Sequence, residues 1–196
     1  MSKIYFFNGW GMDKNLLNPV KNSTEYNIEV INFPYDIDKN FIDMNDIFMG
    51  YSFGVYYLNK FLSENKDLKY KKAVGINGLP ETIGKFGINE KMFNITLNTL
   101  NEENLEKFLI NMDIDDSFCK SNKSFDEIKS ELQFFKDNYK IIDNHIDFYY
   151  IGKNDRIIPA NRLEKYCQNH NLAYKFLEYG HYPFSYFKDF KDILDI

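Results

Sequence analysis

Gly50-Tyr51-Ser52-Phe53-Gly54 is a G-x-S-x-G pentapeptide, set between an apolar run ending in Ile47-Phe48-Met49 and a helical pattern beginning at Val55. Small residues flanking a serine allow a strand-to-helix turn so tight that the hydroxyl stands clear of the chain beside the next residue's amide. Ser52 is therefore a candidate nucleophile for acyl transfer. A serine hydroxyl at its ordinary pKa attacks carbonyls poorly; it needs a neutral imidazole to take its proton and a carboxylate to orient that imidazole. The chain has three histidines. His181, in Tyr179-Gly180-His181-Tyr182-Pro183, follows the last strand-like run and opens onto the final helical pattern, which makes it the candidate base. His145 precedes a strand at what should be the opposite end of the sheet and His170 ends a helix, so both read as surface or packing residues.

The candidate acid is Asp155. It lies in Ile151-Gly152-Lys153-Asn154-Asp155-Arg156-Ile157-Ile158-Pro159, where a strand, a glycine turn and a proline opening a helix carry the carboxylate to the carboxyl edge of a sheet. Asp143 and Asp147 fall on the wrong side of that strand. Acyl transfer also needs two amides aimed at the developing oxyanion. One is the N–H of Phe53, directly after the nucleophile. The other is expected from Trp10, whose flanking glycines in Asn8-Gly9-Trp10-Gly11-Met12 permit an inward-turned amide while the indole walls the pocket. A plain turn with a core tryptophan is the alternative for that loop.

The elements that must hold these groups follow from short apolar runs bounded by turn residues at 4–8, 28–33, 46–50, 73–77, 146–151 and 173–178. Helical patterns lie between most of them, at 16–24, 55–66, 159–170 and 183–194. This alternation predicts an α/β fold with a mostly parallel sheet and helices on both faces. Serine, acid and histidine occur in the chain order of α/β-hydrolases. The stretch 79–144 breaks the alternation: it has no strand pattern but three helical ones, at 89–99, 102–112 and 125–139, two of them after the N-caps Asn101 and Ser124. We read 1–78 and 145–196 as an α/β-hydrolase core and 79–144 as an inserted helical cap, with a helical subdomain remote from the site as the alternative. The candidate substrate-binding lining is Trp10, Phe53, Met92, Phe93 and Phe108.

Phe7-Asn8-Gly9-Trp10-Gly11-Met12, the Ser52 pentapeptide, 151–159 and Gly180-His181 together resemble the α/β-hydrolases that include pimeloyl-[acyl-carrier protein] methyl ester esterases. The early first strand, the short length and Gly75-Ile76-Asn77-Gly78 followed by Gly87-Ile88 and Phe93 look more specifically like the BioG type. In that pattern a threonine tends to follow the Asn-Gly and a methionine the nucleophile; Leu79 and Phe53 depart from it. The resemblance implies cleavage of the methyl ester of pimeloyl-acyl-carrier protein in biotin biosynthesis, with the acyl-carrier protein as partner and a small-molecule ester as a minimal substrate.

At 196 residues the chain is long enough for one domain with a sizeable core. Its net charge of -5, with arginine only at positions 156 and 162, argues against nucleic acid as a partner. No run is long enough to cross a bilayer, and no signal-like segment precedes the first strand, so a cytoplasmic protein is expected. Cys119 and Cys167 lack metal-ligand spacing and read as free thiols. Acyl transfer of this kind requires no cofactor and no metal. Docking of an acidic carrier would need a basic patch, for which Lys85, Lys91, Lys107, Lys120, Lys123, Lys129 and Lys136 are available, although lysine is abundant throughout. Two other functions fit the same residues: a general carboxylesterase or acyl thioesterase, and a non-catalytic hydrolase-like protein that binds an acyl chain or a partner.

Overall fold

The computed structural model describes residues 2–23 and 26–194. Six strands form one parallel sheet: β1 (Lys3–Phe7), β2 (Asn27–Ile31), β3 (Ile47–Tyr51), β4 (Lys72–Ile76), β5 (Phe148–Gly152) and β6 (Ala173–Leu177), in the order β2-β1-β3-β4-β5-β6. The central strands are apolar on both faces because both are covered. Tyr5, Phe7 and Phe48 pack on one side with Val55, Leu58 and Leu62; Ile4, Phe6 and Met49 pack on the other with Leu16, Phe184 and Phe190. The edge strands β2 and β6 alternate exposed or half-buried residues and each buries only its last, the pattern of a strand with one protected side.

Helices α1 (Phe53–Glu64), α5 (Ala160–Asn169) and α6 (Phe190–Leu194) accompany the sheet, and α2 (Glu90–Thr99), α3 (Glu102–Asn111) and α4 (Phe125–Asn138) all fall between β4 and β5. Asn101 caps α3 by accepting from Asn104 N, and Ser124 forms a reciprocal capping box with Glu127 on α4. Two helical expectations are corrected. In place of a helix at 16–24 the chain makes an earlier 3₁₀ turn, Lys14–Leu17, started by the Asp13 side chain accepting from Asn15 N; Thr24 lies outside the described residues. The 183–194 helix shortens to Phe190–Leu194 because 183–189 is spent on turns that bury Phe184 and Phe187 against the sheet.

Strand order positions the site. From β1 the chain crosses outward to β2, then returns past β1 to β3 and proceeds the other way, so the order reverses between β1 and β3. In open α/β sheets the crevice at such a reversal, beyond the carboxyl ends of the strands, is where ligands collect. Phe7 at the end of β1 is in register with Gly50 near the end of β3, so the loop carrying Trp10 and the turn carrying Ser52 flank that crevice.

Candidate active site

Ser52 sits at the β3–α1 junction with φ 53° and ψ −121°, a backbone region unfavourable for a side-chain-bearing residue. The turn survives because the residues two positions to either side are glycines: a Cβ on Gly54 would lie 2.0 Å from Phe7 O, and one on Gly50 would lie 2.7 Å from Val55 Cα. The strain directs the Ser52 hydroxyl toward His181, whose Nε2 lies 2.9 Å from Oγ. His181 Nδ1 is 2.8 Å from Asp155 Oδ2. The other carboxylate oxygen, Asp155 Oδ1, accepts from Ile157 N at 2.7 Å and Ile158 N at 2.9 Å, which locks its orientation. An ionised carboxylate only accepts, so in a neutral His181 the proton resides on Nδ1 and Nε2 is free to accept from the serine. All three residues are buried.

The structure thus gathers Ser52, Asp155 and His181 at the carboxyl edge of the sheet and leaves the other candidates outside. Asp147 accepts from Ala73 N at the amino end of β4, the backbone amide of His145 donates to Asn59, and His170 caps α5 beside Tyr166. Of the amides near Ser52, Gly9 N donates to Asn8 Oδ1 and Gly11 N to Glu131 Oε2, whereas Trp10 N and Phe53 N have no protein acceptor among the described residues. The Trp10 indole N–H donates to Ile128 O at 2.8 Å, pinning the ring between the first loop and α4. Cys167 offers no rival nucleophile: burial pushes its thiol up to about 12.

Above Ser52 lies a cavity of about 350 Å³, lined by Trp10, Phe53, Met92, Phe93 and Phe108 together with Met12, Met112 and Ile157. Its size is within the range of small-molecule sites and its walls are mainly apolar. Phe93 is buried and stacks on Phe53, with ring centroids 6.2 Å apart. Met92 is exposed and belongs to the rim, where Asn104, Lys107 and Arg156 also stand. Arg156 donates to Ile110 O and pairs with Asp113.

Two buried polar side chains that brace the loops around Ser52 were given no role by the sequence reading. Glu131, on α4, is a buried carboxylate that accepts from Lys123, Tyr35 and the Gly11 amide, so α4 braces the loop that carries Trp10. Burial pushes its carboxyl above the usual range and the Lys123 charge opposes that shift. Lys123 is thereby committed inward, not to a docking surface. Asn77, fully buried at the end of β4 with φ 46°, donates from Nδ2 to Gly180 O and His181 O, both at 2.9 Å, and accepts from Gly152 N at 2.7 Å. One side chain therefore ties the loop of the base to the turn of the acid; only its place in the Asn-Gly after a strand marked it in sequence. Asn77→Gly keeps the positive φ without strain and deletes all three hydrogen bonds. We expect kcat to fall about a hundredfold, the effect of a misplacement on the order of 1 Å, with KM little changed. Steady-state kinetics decide it, and a kcat within twofold of the parent would show that the loops hold without Asn77.

A six-stranded parallel sheet flanked by helices, with a strained serine turn at its carboxyl edge, defines an α/β-hydrolase fold. The sequence model of the family described as pimeloyl-ACP methyl esterase BioG matches residues 2–193, and the chain belongs to that family. It is similar in structure to BioG from Haemophilus influenzae, with a TM-score of 0.83 and 24% identity, covering 97% of this chain and 94% of that one. A hydrolase from Oleispira antarctica shares the fold at a TM-score of 0.65 and 10% identity, over 95% of this chain and 86% of that one. Among curated proteins, malonyl-[acyl-carrier protein] O-methyltransferase from Bacteroides fragilis is 28% identical over 190 residues, 84% of this chain. The chain spans 37% of that relative's length. No helix among the described residues is long and apolar enough to cross a membrane.

Proposed function

We propose that this protein hydrolyses the methyl ester of a pimeloyl chain carried on acyl-carrier protein, through Ser52, His181 and Asp155 and an acyl-enzyme. The observation that carries the proposal is the hydrogen-bonded line from Ser52 Oγ through His181 to Asp155, at 2.9 and 2.8 Å, beneath an apolar cavity, in a chain of the BioG family. His181 Nε2 takes the Ser52 proton as Oγ attacks the ester carbonyl. The amides of Trp10 and Phe53 hold the oxyanion, and Asp155 stabilises the imidazolium that forms. Protonated His181 then delivers its proton to the departing methoxide, releasing methanol, and water repeats the sequence on the acyl-enzyme. The product carries a new carboxylate, which an aromatic-lined cavity disfavours, and this assists its release.

Purified protein given a methyl-pimeloyl-carrier substrate should release methanol and leave the carrier thioester intact. Release of the carrier thiol instead would make the protein a thioesterase. Complementation of a host that lacks its own methyl ester esterase, read as growth without biotin, tests substrate and chemistry together.

The carrier contact is proposed for the exposed lysines of the segment 79–144. Lys107 and Lys120 pair there with Glu103 and Glu106, and such exposed pairs exchange readily with water; the half-buried Lys136 pairs with Glu90. Charge reversal at Lys85 and Lys91, neither of which lines the cavity, should raise KM for the carrier-bound ester roughly threefold to tenfold and leave a small methyl ester unaffected. Equal effects on both substrates would remove this face from the account.

A further inference from the structure

A second cavity of about 250 Å³ lies behind the wall of the first. Its own lining sets Leu105, Leu109, Phe118 and Phe125 beside the charged Glu102, Glu106, Lys120 and Lys123, and Trp10, Met12 and Phe108 line both spaces. What separates the two spaces is chiefly an aromatic partition: the Trp10 and Phe108 rings meet edge to face with centroids 5.0 Å apart. The halves of that partition are held differently. Trp10 is pinned by its indole hydrogen bond to Ile128 and packs near Phe53, with centroids 6.4 Å apart. Phe108 is only half-buried, on a helix whose one buried residue is its neighbour Leu109.

An ester has two arms that leave the carbonyl carbon in different directions, and the site must house both. On the hydrolase reading above, on which this inference rests, the acyl arm is tethered to a carrier too large to enter. That arm must leave by the exposed rim at Met92, Ile95 and Lys107. The alkoxy arm then faces away from that rim, toward the partition of Trp10 and Phe108. We propose that Phe108 limits the alcohol half of the substrate to a methyl group, and that the cavity behind it is a latent alkoxy-binding site for short alkyl chains, shut off by its ring. Removing the ring joins the two spaces and leaves Ser52 and His181 in place, while Trp10 loses one ring contact and keeps its indole hydrogen bond to Ile128.

The test uses the full chain and two ester series: methyl, ethyl, butyl and hexyl esters of octanoate, and methyl esters of acids of increasing length. In the parent protein kcat/KM should fall from methyl to butyl. In Phe108→Ala the butyl-to-methyl ratio of kcat/KM should rise about tenfold or more, the discrimination that a few methylenes command in an apolar pocket. Phe108→Trp should lower the ratio below the parent's, and adding Leu105→Phe to Phe108→Ala should restore the parental ratio by filling the cavity behind. Because the readout is a ratio, it is independent of the fraction of folded protein. An unchanged ratio in Phe108→Ala, or a change confined to the acyl-length series, would overturn the inference while leaving the hydrolase reading intact. A parent protein that turns over no ester in either series and releases no methanol from the methyl-pimeloyl-carrier substrate would overturn the hydrolase reading and this inference with it.

Discussion

Ser52→Ala should lower ester turnover by a factor on the order of 10⁵ to 10⁶, to the background left by binding and the oxyanion amides. The expectation rests on the geometry: Oγ is the atom within hydrogen-bond reach of His181 Nε2, and removing it leaves the base with nothing to deprotonate in the first step. The fold should persist. Ser52 already occupies φ 53°, and an alanine there needs no more space than the serine it replaces, so circular dichroism and the thermal midpoint should match the parent. A fluorophosphonate probe should label the parent on Ser52 and leave the variant unlabelled. Undiminished activity in a folded variant would end the serine-nucleophile proposal, and failure of the parent to label would favour a hydrolase-like binding protein.

The second large effect is expected at Asp155, where the variant changes a proton's address without changing shape. Asp155 Oδ1 accepts from two backbone amides, so in Asp155→Asn the amide oxygen must take that position and the NH₂ group must face His181 Nδ1. A ring nitrogen facing a donor has to accept. The imidazole is thereby forced into the tautomer that carries its proton on Nε2, pointing at Ser52 Oγ, and it can no longer act as a base. The expected loss in kcat is about 10⁴-fold, the magnitude a wrong-tautomer histidine produces in a serine triad. KM should change little, because the carboxylate does not line the cavity. The same substitution should slow fluorophosphonate labelling of Ser52 in parallel with kcat. A loss below about tenfold would show that His181 is oriented by something other than Asp155.

Much of the molecule can be read from local pattern, because local pattern is caused by local physics. The six runs become six strands to within a residue or two at each end, since a central strand covered on both faces is apolar along its length and an edge strand alternates. Asn101 and Ser124 start helices because their side-chain oxygens satisfy otherwise orphaned amides, a contact spanning three residues. The pattern fails where a segment's conformation is set by what it packs against. The stretch 183–189 carries apolar residues at helical spacing, yet Phe184 and Phe187 gain more by lying against the sheet than a continued helix would return.

The sequence by itself determined the α/β class, the six strands, the tight turn at Ser52 with its obligatory small neighbours, and the order of serine, aspartate and histidine along the chain. Each of these rests on side-chain size, on periodicity, or on bonds between residues a few positions apart. Only the tertiary structure decided that Ser52, Asp155 and His181 lie within hydrogen-bond distance across up to 129 residues of chain, and that Asn77 fastens two loops at once. It also decided that Glu131 reaches back 120 residues to the Gly11 amide and that Phe108 stands between two cavities. Such contacts depend on strand order and on which buried polar group finds a partner, and a sequence segment contains neither of its own contacts' far ends.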